Sequence, residues 1–204
     1  GGREDVYWEM EPDGTGRREV YRKKAELYHR LFTAGGGCLY MEDEGNRITG
    51  VNLENGEKKS YGLQGMRVDG LYYENGYLYI QTHNYPTGEI IFRLDVVSGE
   101  KEYLAEGFCW VYMENGYLYY TWNDHYGGDG KLNLSVLNVE TKQLETEALT
   151  ESGAAWLQTA GDDLVVTVDI YRNREKKKAV YFRYRAGVLP LERLDREEKR
   201  AESG

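Results

Sequence analysis

Two near copies of one short pattern constrain this chain more than anything else in it. Glu74-Asn75-Gly76-Tyr77-Leu78-Tyr79-Ile80 returns forty residues later as Glu114-Asn115-Gly116-Tyr117-Leu118-Tyr119-Tyr120, and Gly161-Asp162-Asp163-Leu164-Val165-Val166 is a weaker echo. Asn-Gly between alternating aromatic and aliphatic residues specifies a hairpin, because a two-residue type I′ turn needs positive φ at both central positions. In Tyr77-Leu78-Tyr79-Ile80 the tyrosines point to one face of the strand and Leu78 and Ile80 to the other. A strand apolar on both sides belongs in a sheet covered on both faces. A hairpin unit returning at about forty residues is the signature of a propeller blade.

Hanging the chain on this repeat predicts an all-β fold. It is a β-propeller of four-stranded antiparallel blades, about five blades or a partial propeller, in one domain spanning 1–194. The blades fall at 5–30 (partial), 31–66, 67–107, 108–152 and 153–194, with a charged tail at 195–204. In the clearest unit, strands are expected at Val68–Glu74, Tyr77–Thr82, Glu89–Val96 and Lys101–Leu104, with a loop over His83–Gly88. Val97-Ser98-Gly99-Glu100 turns between the last two, as do Glu54-Asn55-Gly56-Glu57 and Glu140-Thr141-Lys142-Gln143 in the flanking units. In the last blade Arg172–Lys178 reads as a charged loop. It is a solvated hairpin tip or a contact for an anionic partner. The 204 residues include 19 tyrosines and 25 glycines, as half-buried sheet faces and frequent turns require.

Charge narrows the partners. A formal net charge of −9 argues against nucleic acid, whose phosphates select a basic face. No apolar run approaches the length of a membrane span, so no direct membrane insertion is expected. The chain opens on Gly1-Gly2 rather than Met, so it reads as a processed or internal piece, and a missing signal peptide does not argue for the cytoplasm. Cys38 and Cys109 lack metal-ligand spacing and read as free thiols, with a disulfide open if the compartment is oxidising.

Asn-Gly-Tyr-Leu-Tyr at 75–79 and 115–119, Ile91-Phe92-Arg93-Leu94-Asp95 with Ser98-Gly99-Glu100, and Leu137–Thr141 together resemble the TolB-like propeller repeats, including the bacterial domain of unknown function DUF5050. The likeness covers residues 38–150 well and the ends poorly. It implies six to eight blades in the parent fold and an extracytoplasmic setting: secreted, a lipoprotein, or the ectodomain of a membrane-anchored protein. It carries no active-site residues across.

Up-and-down strand order places the A–B and C–D turns on one face of a propeller and the longer B–C loops on the other. The varied B–C loops are the expected binding face. Its candidates are His83, Asn84 and Tyr85 in one blade and Trp122, Asn123, Asp124, His125 and Tyr126 in the next, aromatics beside amides that suit a protein partner or a cell-wall glycan. No metal or cofactor is expected. Asn123, Asp124 and Asp129 fail the calcium-loop spacing, and His83 with His125 lacks a third ligand. No nucleophile motif is present and no catalytic residue is assigned. The reading is therefore a non-enzymatic binding or protein-interaction module. The alternative is a carbohydrate-active hydrolase or lyase with paired carboxylates in a central funnel, for which Asp69 and Glu114 lie on or near inner strands.

If the hairpin assignment is right, replacing Gly76 or Gly116 by valine should cost on the order of 1 kcal/mol or more through the positive-φ requirement. Thermal melts of the two variants measure it.

Overall fold

In a computed structural model, residues 3–24, 31–43, 46–84, 88–107, 110–123, 130–151, 153–160, 163–172, 175–185 and 188–193 are described. They form eighteen strands. A hairpin, β1 (Glu4–Glu9) with β2 (Arg18–Lys24), comes first. Four sheets of four consecutive antiparallel strands follow. The first contains β3 (Phe32–Gly35), β4 (Cys38–Asp43), β5 (Arg47–Asn52) and β6 (Lys58–Gly62). The second contains β7 (Arg67–Glu74), β8 (Tyr77–Asn84), β9 (Gly88–Asp95) and β10 (Lys101–Glu106). The third contains β11 (Trp110–Glu114), β12 (Tyr117–Asn123), β13 (Leu132–Asn138) and β14 (Leu144–Thr150). The fourth contains β15 (Ala154–Ala160), β16 (Asp163–Arg172), β17 (Glu175–Arg185) and β18 (Val188–Arg193). These are propeller-type blades, each built as the repeat predicts.

Two boundaries differ from expectation. β8 runs through His83 and Asn84, and β12 through Trp122 and Asn123, so these four candidates sit on strand ends rather than in loops. Within the expected charged loop Arg172–Lys178, Arg172 and Glu175–Lys178 are strand residues of β16 and β17, with Arg172 opposite Glu175 and Tyr171 opposite Lys176 after a bulge at Ile170/Tyr171; Asn173 and Arg174 lie outside the described residues. Among the described residues no helix is long and apolar enough to cross a membrane.

The chain divides into two compact units, Gly1–Thr87 with Ile91–Tyr103, and Gly88–Ile90 with Leu104–Gly204. In the first, the sheets β3–β6 and β7–β10 bury Ile48, Leu63, Leu71, Leu78, Ile80 and Leu94 in one cluster. Leu39, Met41 and Val51, on the other face of β4 and β5, pack with Tyr7 and Tyr21 of the N-terminal hairpin. In the second, Leu132, Leu134 and Val136 of β13 meet Ala155, Leu164, Val166 and Val168 of the fourth sheet. Alternation is therefore used twice over: Leu78 and Ile80 are fully buried on one face of β8, and Tyr79 is 2% exposed on the other.

The A–B turns take the predicted conformation. Asn75 and Gly76 have φ of 49° and 85°, and Asn115 and Gly116 of 51° and 76°. The C–D turns share a device that the dipeptides alone do not announce. Asn52, Asp95 and Asn138 stand forty-three residues apart and each closes the same loop. The Asn52 side chain accepts from the N–H groups of Glu54 (2.9 Å) and Asn55 (3.2 Å). Asp95 accepts from Val97 (2.7 Å) and Ser98 (2.8 Å), and Asn138 from Glu140 (3.1 Å) and Thr141 (2.9 Å). The main chain of each also receives a bond from the turn, Gly56, Gly99 or Lys142 donating to it at 2.8–2.9 Å. The donor residue has positive φ in all three, and only the third blade places a non-glycine, Lys142 at 61°, there. The residue after each Asx then donates to the preceding A–B turn, Leu53 to Gly37, Val96 to Gly76 and Val139 to Gly116. One hydrogen-bonded corner thus ties the two tight turns of each blade together.

The Asp95 corner carries a pH signature. Its carboxyl is held below the ordinary carboxylate value, first by the Ser98 N–H and then by that of Val97. A carboxylate with a lowered folded-state pKa stabilises at neutral pH, and that contribution is lost as pH falls through the folded value. Asp95→Asn, which restores the residue used by the other two blades, should keep the turn and flatten the acid limb of the stability curve. Thermal melts from pH 7 downward would show it, and an unchanged acid limb would contradict the assignment.

Candidate functional site

A concavity of mixed chemistry lies within the first unit, between the sheets β3–β6 and β7–β10. It is a pocket of about 420 Å³ lined by Cys38, Tyr40, Asn52, Lys59, Tyr61 and Tyr73, among others. Its position follows from local sequence. β3 and β4 are joined at Gly36-Gly37, both at positive φ, where the other blades use Asn-Gly. A Cβ on Gly35 or Gly36 would overlap the Tyr73 side chain, so the glycines allow this ring to lie on the backbone. Gly50 does the same for Tyr40, whose Cε1 would stand 2.9 Å from an added Cβ. The two rings are stacked, centroids 5.5 Å apart and planes 12° from parallel.

The opposite wall is strapped by cations and hydroxyls. Lys59 Nζ donates to the carbonyls of Val96 (2.9 Å) and Val97 (2.7 Å), and Tyr61 Oη donates to Val96 at 2.8 Å. Both belong to β6 and reach the C–D turn of the next sheet. Burial, and then the hydrogen bond with Cys38, pushes the Tyr40 phenol well above its ordinary value. Burial raises Tyr61 too, with Cys38 next among the causes. Both phenols are therefore neutral and available as hydrogen-bonding groups across the physiological range. Cys38 is a free, half-buried thiol, as expected, and Cys109 lies outside the described residues. The pocket combines aromatic faces, hydroxyls, an amide and ammonium groups, which suits a polar ligand with a flat face.

This pocket stands at the end of the sheets that carries the tight turns, whereas the binding face expected from sequence carries the B–C loops. Of the residues expected on that face, Tyr85, Asp124, His125 and Tyr126 lie outside the described residues, as does the Asn84 side chain. Trp122 is engaged in its own sheet: its indole N–H donates to Ser135 Oγ at 2.9 Å, and Ser135 is in turn 2.8 Å from Thr146 Oγ1. Asn123 ends β12 beside it. At the far end of β7 and β8, His83 lies opposite Arg67, and Asp69 is the extra residue where the register slips between Val68 and Gly70; both are half-buried. The sequence signals that could have located these features are the Gly35-Gly36-Gly37 run and the Asp69-Gly70 step inside a strand.

No family model and no curated protein matches the chain. Solved structures do match in fold. A structure of prolyl endopeptidases has a TM-score of 0.66 at 12% identity, over 95% of this chain and 33% of that one. The WD40 domain of coronin from Toxoplasma gondii scores 0.58 at 13% identity, over 89% and 49%, and the N-terminal domain of Nup159 scores 0.56 at 11%, over 89% and 52%. The chain thus spans a third to about half of the structures it resembles here. Identities this low show the fold alone, and the fold shown is the propeller type.

The Gly35–Tyr73 contact is open to test. Gly35→Ala should displace the Tyr73 ring and destabilise by about 1–3 kcal/mol, as overpacking does. Gly62, where a Cβ meets nothing within 4 Å, is the control site. Equal melting of Gly35→Ala and Gly62→Ala would refute the ring's placement.

Proposed function

We propose that this chain is a non-enzymatic, extracytoplasmic propeller module that recognises a protein or cell-wall glycan, and that the recognised group seats in the Tyr40–Tyr73 pocket. The observation that carries this reading is the pocket itself: stacked tyrosines on glycine backbone, facing amide and ammonium groups, in a volume of about 420 Å³. Sugar rings and planar peptide side chains both stack on such faces while bonding to the hydroxyls. The extracytoplasmic setting draws its support from the resemblance to TolB-like repeats. The interaction role agrees with a fold shared with interaction domains such as WD40.

The recognition reading is tested by screening muropeptides, cell-wall glycan fragments and short peptides for thermal stabilisation of the chain, then titrating hits by calorimetry. Tyr73→Leu should weaken a genuine hit by about tenfold or more, the loss expected when an aromatic anchor of about 1.4 kcal/mol is removed. Hits bound equally by wild type and Tyr73→Leu, or no hits at all, would overturn the assignment to this pocket.

A further inference from the structure

We infer that the Tyr40–Tyr73 pocket takes an uncharged saccharide, held through its hydroxyl groups, rather than a charged glycan or a peptide. This narrows the recognised group to one chemical class, and it rests on the recognition reading of the same pocket. Every residue involved belongs to the first compact unit.

Strand register gathers the polar groups on one face of the sheet β3–β6. Cys38 lies opposite Asn52, Tyr40 opposite Gly50, and Gly50 opposite Lys59. Residues directly opposite share a face, as do residues two apart along a strand, so Tyr61 joins Lys59. Gly50, at the centre, has no side chain, and the Tyr40 ring lies over it. Lys58 also lines the pocket but stands opposite Val51, with Nζ 5.4 Å from the Tyr21 ring, so its charge is turned to the N-terminal hairpin. The charges left on the pocket lining are Lys59 and Glu57, which balance.

Several hydrogen-bonding groups there remain open to a ligand. Asn52 Oδ1 already accepts from the Glu54 and Asn55 N–H groups, so the NH2 is the part of that side chain still available, as a donor. Lys59 Nζ donates to the Val96 and Val97 carbonyls and keeps its third proton. Tyr61 gives its proton to the Val96 carbonyl and keeps its oxygen as an acceptor. The Glu57 carboxylate has no hydrogen-bond or ion-pair partner among the described residues.

That mixture selects the ligand. A hydroxyl donates one hydrogen bond and accepts two, so neighbouring sugar hydroxyls can meet a carboxylate and an amide NH2 together. The C–H face of the sugar ring packs on a tyrosine. An acidic sugar would set its carboxylate near Glu57, and an amino sugar its ammonium near Lys59, each a like-charge contact. An apolar side chain of a peptide would leave the NH2 and the carboxylate without partners, the cost by which a polar site rejects apolar analogues. The volume of about 420 Å³ falls among small-molecule sites, which span roughly 300–1,000 Å³.

The test is calorimetric titration of the purified 204-residue chain with chitotetraose, cellotetraose and mannotetraose, alongside the glucosamine tetramer and tetragalacturonate as charged counterparts, and short peptides. At least one neutral oligosaccharide should bind, about tenfold or more tighter than either charged one. Asn52→Asp removes the NH2 donors but keeps the oxygen that closes the turn, as Asp95 does in the next sheet. The fold should therefore persist while binding falls about tenfold, the worth of a hydrogen bond or two. Asn138→Asp makes the same change at a turn outside the pocket and should leave binding unchanged. Neutral-saccharide binding that Asn52→Asp does not weaken would overturn the assignment. Binding confined to charged glycans or peptides, and lost in Tyr73→Leu, would overturn it while leaving the recognition reading in place. Absence of any ligand sensitive to Tyr73→Leu would remove both.

Discussion

Every four-stranded sheet in this protein has two faces to cover, and that requirement organises the rest. A single twisted sheet of four short strands cannot keep Leu78 and Ile80 on one side and Tyr79 on the other away from water by itself. Sheet-on-sheet packing supplies the cover within each unit, through Ile48, Leu71 and Leu94 in the first and Leu134, Ala155 and Val166 in the second. Apolar burial is the main driving force of such packing, at roughly 25 cal/mol per Å². The repeat follows from it, because a blade that must be covered on both faces is stable only beside others like itself.

Given stacked sheets, the turns decide how closely they meet. The paired corners at Asn52, Asp95 and Asn138 satisfy the backbone where four strands would otherwise leave open N–H groups, and they do so with side chains two residues back from the donors. The same corners expose the Val96 and Val97 carbonyls that Lys59 and Tyr61 grip from the neighbouring sheet. A structural device of the blade thus becomes one wall of the pocket. The opposite wall depends on absence: the glycines at 35, 36 and 50 provide the room in which Tyr40 and Tyr73 stack.

The pocket is an inter-sheet feature lined by Tyr40 and Tyr73. It and the far end of β7 and β8 both use positions at which the regular alternation is interrupted, by glycine in the first case and by the extra residue Asp69 in the second. Interruptions of this kind weaken a strand locally, and they persist where the surrounding pairing is strong enough to hold them.

Much of the fold was legible because it is encoded locally. Asn-Gly at 75–76 and 115–116 requires positive φ, and Tyr-Leu-Tyr alternation requires two covered faces; both statements concern a few adjacent residues and hold whatever the chain does elsewhere. The strand-end placement of His83 and Trp122 was not legible, since continued pairing with a neighbouring strand, not local composition, decides where a strand stops. His83 was expected in a loop neighbouring that of His125, yet register set it on β8 opposite Arg67, and His125 lies outside the described residues. The pocket, too, needed the tertiary structure: Tyr40, Lys59 and Tyr73 are far apart along the chain, and only sheet packing brings them around one volume. Periodicity and turn chemistry are short-range properties and were determined by the sequence itself, whereas the sites are convergences between strands, and convergence is a property of packing alone.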